Sequence, residues 1–168
     1  ANKVYELDFN LIELLNIGLE IEPHPDFLSP CLSGGLALSY KSGSGSYRFE
    51  KVSIKENFRI MLMIPDYKVN TSEARKLIPE FISKEDAILN IANFAMLINR
   101  LKDGNLENAV DFIRDRIHQP YRKDVYPDSM AIVEELNSKF DIPAAISGSG
   151  PTVLAFITEK KFEEFNSS

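Results

Sequence analysis

Two Gly/Ser turns constrain this chain more than any other feature. Ser42-Gly43-Ser44-Gly45-Ser46 lies between residues 36–41 and 47–54, and Ser147-Gly148-Ser149-Gly150 lies between residues 142–147 and 152–158. The flanking runs are short and have strand character, so each turn predicts an antiparallel hairpin, one near each end of the chain. Helical patterns fill most of the space between. Ser83 with Asp86 opens an amphipathic stretch through Leu101 that closes at Gly104, and 105–117 reads as a helix with Leu106, Val110, Ile113 and Ile117 on one face. Residues 128–140 follow Pro127 as another helix, and 159–165 begin a last one. Earlier, Asn10 followed by Glu13 predicts a capping box, with the helix ending near Glu22 before Pro23 and Pro25 break it. Val4 and Leu7 extend the helical spacing to the first residues, as in a helix begun earlier, so the chain reads as a fragment. A short element over 28–33 closes at Gly34-Gly35, 58–65 reads as a buried strand, and 71–78 as a short helix. Strands at both ends with helices between them predict an α+β class, helices packed on a mainly antiparallel sheet. Charged residues at 55–57 mark the expected domain boundary.

With 168 residues, 44% hydrophobic and 26% charged, the chain has the composition of an ordinary globular protein. Its apolar runs are too short to cross a bilayer. A net charge of -6 argues against a nucleic-acid partner, since phosphate backbones demand clustered Lys and Arg. It leaves open a small phosphorylated ligand, which backbone N–H groups can cradle within an acidic protein. Cys31 is the one cysteine, which excludes a disulfide framework and a thiolate zinc site and fits a reducing cytoplasm.

Four constellations can carry chemistry, each with a plain structural role beside it. Glu22-Pro23-His24-Pro25-Asp26-Phe27 offers carboxylates suited to Mg²⁺, or merely a rigid connection with solvated acids. Asn70-Thr71-Ser72-Glu73-Ala74-Arg75 places Thr71 and Arg75 on one face of a helix start, able to bind a carboxylate or phosphate, or simply a cap and a surface arginine. In His118-Gln119-Pro120-Tyr121-Arg122, His118 reads as a helix-end histidine near the C-terminal dipole, and Arg122 as a guanidinium presented by a constrained loop. Ile146-Ser147-Gly148-Ser149-Gly150-Pro151-Thr152 can turn N–H groups toward an anion through positive φ, or form a tight hairpin. The Ser42–Ser46 loop lacks the Lys-Ser/Thr ending of a nucleotide P-loop and reads as a hairpin connection.

Taken in order, His24-Pro25-Asp26, Gly34-Gly35, Asn70-Thr71 to Arg75, His118 to Arg122 and Ser147 to Thr152 resemble the bacterial homoserine kinases, of the superfamily of galactokinase and mevalonate kinase (the GHMP kinases). The likeness implies a ferredoxin-like C-terminal domain over 58–168 and, over 1–57, the tail of an N-terminal domain with a ribosomal-protein-like fold. It implies an active site between the two domains, a phosphate loop ahead of Ala1, and a final strand beyond the last residue. It also implies ATP and Mg²⁺ as cofactors, and transfer of the γ-phosphoryl to the side-chain hydroxyl of L-homoserine in threonine biosynthesis. A cytoplasmic homodimer without nucleic-acid or membrane partners belongs to the same expectation. By motif, Glu22 resembles the Mg²⁺-binding glutamate. Thr71, Arg75 and Arg122 resemble the groups that grip the amino-acid end of the substrate, and Ser147, Gly148, Ser149 and Gly150 the loop near the phosphates.

One position departs from the family pattern: Phe27 stands where His-Pro-Asp is usually followed by Asn. The expectation is retained activity in a full-length protein and none in these 168 residues alone. Two other readings are a superfamily kinase for a different hydroxylated metabolite such as mevalonate, and a non-catalytic ferredoxin-like ligand-binding module.

Overall fold

The computed structural model describes residues 2–55, 57–66, 74 and 76–167. The chain divides into two compact units, Ala1–Ile54 and Lys55–Ser168.

In the first unit, helix α1 (Leu11–Gly18) starts at the expected capping box. The Asn10 side chain accepts from the N–H groups of Ile12 and Glu13 at 3.0 Å each, and Glu13 accepts from the Asn10 N–H at 2.8 Å. The helix stops at Gly18 rather than near Glu22, and Glu20 and Ile21 tighten into three-residue turns onto Ile17 and Gly18. Residues ahead of it are not helical, contrary to the spacing of Val4 and Leu7. Asn2 bonds the backbone of Phe9 in both directions, and Glu6 and Asp8 have φ of 50° and 54°, which a right-handed helix cannot contain. Helix α2 (Pro25–Ser33) has Pro25 in its first turn, where the missing N–H costs nothing. It packs on the hairpin of β1 (Leu36–Lys41) and β2 (Tyr47–Val52), paired from Leu36↔Val52 to Lys41↔Tyr47.

The second unit is built on an antiparallel sheet in the order β3-β5-β4, with β3 (Phe58–Met63), β4 (Ala144–Ile146) and β5 (Val153–Thr158). Strand β5 alternates strictly, so Val153, Ala155 and Ile157 all face the core. That core is closed by Val133 and Leu136 of α6 (Pro127–Lys139), by Ile142, and by Phe162 and Phe165 of α7 (Glu159–Ser167). Strand β3 is an edge strand rather than a buried one: among the described residues it pairs with β5 alone, and Ile60 and Leu62 are 55% and 53% exposed. Helix α3 (Lys84–Asp103) is capped by Ser83, whose hydroxyl accepts from the Asp86 N–H at 2.9 Å, and ends at Gly104 with φ of 62°.

The single helix expected over 105–117 is broken. Asn108 has φ of 57°, only Ala109–Phe112 form a helix (α4), and a new short helix α5 (Gln119–Arg122) starts further on. Beyond α4 the Asp115 carboxylate keeps the helix from resuming, since it accepts from the N–H groups of Ile117, His118 and Gln119 at 2.9, 2.9 and 2.6 Å. A short acidic side chain has thus captured three backbone donors, of which the Ile117 N–H lies inside the expected helix. Among the described residues no helix is long and apolar enough to cross a membrane.

Candidate functional site

Residues 119, 122, 126 and 129 are separated by steps of three, four and three, which puts them on one face of consecutive helical turns. Val125 and Tyr126 both donate to the Arg122 carbonyl, carrying the turn from α5 into α6. Each of the four side chains meets the backbone of the Gly-rich loop. Gln119 accepts from the Ile146 N–H at 3.0 Å. Arg122 donates from Nη1 to the Gly148 carbonyl at 2.9 Å, Tyr126 from its hydroxyl to the Ser149 carbonyl at 2.5 Å, and Ser129 to the Pro151 carbonyl at 2.7 Å. Arg122, Tyr126 and Ser129 are all buried, so these bonds form where water competes little.

Within the loop, Ser147 donates to the Thr152 carbonyl at 2.8 Å and Gly150 to the Ser147 carbonyl at 3.1 Å. Gly148 and Gly150 have φ of 58° and 90°, the positive values the sequence called for. Gly150 is required for a second reason, because a Cβ there would come within 2.6 Å of the Tyr126 ring.

Arg122 differs from its expected setting. It is the last residue of a short helix and is 5% exposed, rather than displayed by an open loop. Its Nε is buried and has no hydrogen-bond partner among the described residues, and no carboxylate there pairs with it. A buried guanidinium without a counter-charge is costly, by several kcal/mol in order of magnitude ~3–5 when a partner is missing. Such a group asks for an anion.

Below this ladder lies Asp115. Burial works to raise its pKa, but hydrogen bonds from His118, from Asn90 and from the N–H groups of Gln119 and Ile117 outweigh it and hold the carboxyl well below the usual carboxylate range. His118 therefore sits at a helix start with Nδ1 3.3 Å from Asp115, not near a helix C-terminal dipole as its sequence position suggested.

Of the other expected site residues, Thr71 and Arg75 lie outside the described residues. In the first unit, Glu22 has Oε1 buried without a hydrogen-bond partner among the described residues, 3.9 Å from His24 Nε2. Phe27, in the first turn of α2, is 40% exposed and meets His24 edge-on at 6.1 Å between centroids. Sequence reasoning passed over Gln119, Tyr126 and Ser129. The three-four-three spacing was there to be read, but backbone carbonyls as partners leave no mark in sequence.

Residues 94–165 match the family described as GHMP kinases C terminal. The homoserine kinase of Clostridium kluyveri is 32% identical over 163 residues, covering 97% of this chain and 54% of the relative. That of Clostridium acetobutylicum is 33% identical over 159 residues, covering 95% of this chain and 53% of the relative. The crystal structure of homoserine kinase from Cytophaga hutchinsonii superposes with a TM-score of 0.77 at 22% identity, over 98% of this chain and 57% of that one, a likeness of fold. This chain thus spans about half the length of the relatives it matches.

Proposed function

We propose, from the match of residues 94–165 to the GHMP kinases C terminal family, that this chain serves an ATP-dependent kinase acting on the side-chain hydroxyl of L-homoserine. The observation that carries this reading is Arg122, a buried cation that touches the Gly-rich loop and lacks an anionic partner among the described residues. Its guanidinium suits a substrate carboxylate, and Thr71 and Arg75 are assigned to the same amino-acid end. Ser147, Gly148, Ser149 and Gly150 line the phosphate side. Residues 1–57 are read as the tail of an N-terminal domain and 58–168 as the C-terminal one, with the whole protein a homodimer.

Glu22 fits a role as one Mg²⁺ ligand. Its Oε1, buried and without a hydrogen-bond partner among the described residues, is an anionic oxygen of the kind Mg²⁺ prefers. When bound, Mg²⁺ supplies neutralisation of phosphate charge. The contribution of this chain is alignment: a fixed guanidinium for the carboxylate and a fixed loop for the phosphoryl group, without a covalent nucleophile.

The test is phosphoryl transfer by the full-length protein, offered homoserine or mevalonate with ATP. Homoserine is turned over preferentially, and Arg122→Gln raises its KM by about tenfold or more while leaving the KM for ATP within about twofold. Preferential turnover of mevalonate overturns the substrate assignment. The 168-residue chain alone shows no turnover. Phe27 favours a second reading, a ligand-binding module without catalysis, which calorimetric binding of homoserine by a full-length protein devoid of turnover would establish.

A further inference from the structure

The Gly-rich loop is not held by its own turn alone. Its consecutive carbonyls at 148 and 149, and that of Pro151, are each taken by a buried side chain from the neighbouring segment. In a trans peptide the N–H points opposite the C=O of the same plane. Fixing the Gly148 carbonyl on Arg122 therefore turns the Ser149 N–H away from Arg122, and fixing the Ser149 carbonyl on Tyr126 turns the Gly150 N–H back to the Ser147 carbonyl. The Tyr126 ring also fills the space a side chain at position 150 would need.

We infer that Tyr126 and Ser129 are positioning residues: with Gln119 and Arg122 they form a template that sets the peptide planes of residues 147–151 and so aims the Ser149 N–H at a phosphoryl oxygen. This rests on the kinase reading for the identity of the ligand, while the template itself is a property of the second unit. Both hydroxyls are engaged by loop carbonyls. Their effect passes through the carbonyls they hold, and a loop displaced by an ångström or less is enough to misalign phosphoryl transfer.

Two arms test it. In the 168-residue chain, Tyr126→Phe and Ser129→Ala shift the amide resonances of 147–150 and 152 and raise their hydrogen exchange, with the amides of β4 and β5 outside the loop and those of α6 beyond residue 133 unmoved; Ser129→Thr, which keeps the hydroxyl, restores the wild-type loop pattern. In the full-length protein the same two variants lower kcat by about tenfold to a hundredfold, with the KM for homoserine within about twofold, and Ser129→Thr recovers most of the rate. Unmoved loop amides overturn the template. Moved amides with an unchanged kcat overturn its catalytic part. Should Tyr126→Phe fail to fold, the Ser129→Ala and Ser129→Thr pair decides alone. A full-length protein that phosphorylates no homoserine even as wild type refutes the kinase reading, and the amide arm still judges the template.

Discussion

Ser42-Gly43-Ser44-Gly45-Ser46 and Ser147-Gly148-Ser149-Gly150 are nearly the same in composition and both join antiparallel strands. They differ in what holds them. The first closes on itself: Ser42 Oγ lies 2.8 Å from Ser44 Oγ and 3.0 Å from Ser46 Oγ, and the Ser42 N–H donates to the Ser46 carbonyl at 2.8 Å. A Cβ at Gly43 or Gly45 would meet nothing within 4 Å among the described residues. The second is held from outside, by side chains 22 to 27 residues away in sequence. A Gly/Ser turn is thus a hairpin connection where solvent surrounds it, and a shaped surface where a helix grips its carbonyls.

Gly45 and Gly150 give the sharpest way to break that contrast, because their φ values, 89° and 90°, are almost equal. An alanine at either position incurs the same backbone strain, about 1–2 kcal/mol. Only at 150 does the new methyl also run into the Tyr126 ring, which adds about 1–3 kcal/mol of overpacking. Gly150→Ala should therefore destabilise the chain by about 2–5 kcal/mol, and Gly45→Ala by about 1–2 kcal/mol, in urea unfolding. Equal losses would mean that the Tyr126 contact yields freely and that the two turns are alike after all.

Acid should separate the turns as well. The Asp115 carboxyl is held below its ordinary range in the folded chain, so its contribution is fully present above the ordinary value, about 4, and is lost as pH falls below it, where the unfolded chain takes up the proton first. His118, Gln119 and Ile117 hang on that carboxylate, and the ladder to the Gly-rich loop starts at Gln119. Stability should fall as pH drops below about 4, and the amide resonances of 146–150 and 152 should move only at the lower pH where the folded chain itself protonates Asp115 and loses this anchor. Those of 42–46 should not, since serine hydroxyls do not titrate. Asp115→Asn should cost about 1–3 kcal/mol at neutral pH and flatten the acid limb of the stability profile.

What could be read in the sequence follows the range of the interaction. The capping box of Asn10 with Glu13, the Ser83 cap and the stop at Gly104 are bonds within a few residues, and the sequence states both partners. The hairpins were legible for the same reason. The helix drawn through 105–117 failed beyond α4 because Leu106, Val110, Ile113 and Ile117 keep their spacing while Asp115 diverts the backbone there, and a carboxylate's choice between solvent and three N–H groups is settled by burial. Val4 and Leu7 misled in like manner, since two apolar residues at helical spacing carry no weight against Asn2 closing on Phe9. At the site, the Gly-rich loop and Arg122 were visible as motifs, whereas Tyr126 and Ser129 bond to backbone oxygens, which every residue has. Arg59 likewise pairs with Glu159 across the edge of the sheet, a link of 100 residues that composition cannot announce.

The smallest expected effect bears on the self-closed turn. Ser44 is exposed, and among the described residues its hydroxyl bonds only to the hydroxyls of Ser42 and Ser46, at 2.8 and 3.1 Å. Removing it leaves Ser42 and Ser46 bonded to one another and open to water, so no buried group loses a partner. Ser44→Ala should change stability by no more than about 0.5 kcal/mol. Ser129→Ala removes a hydroxyl of the same chemistry from a buried site and strips a partner from the Pro151 carbonyl, which should cost about 1–3 kcal/mol. Measured side by side in the same unfolding experiment, the pair tests whether depth, rather than the serine itself, decides what such a bond is worth. Equal losses would place both turns on the same footing and remove the physical ground for treating residues 147–151 as a templated surface.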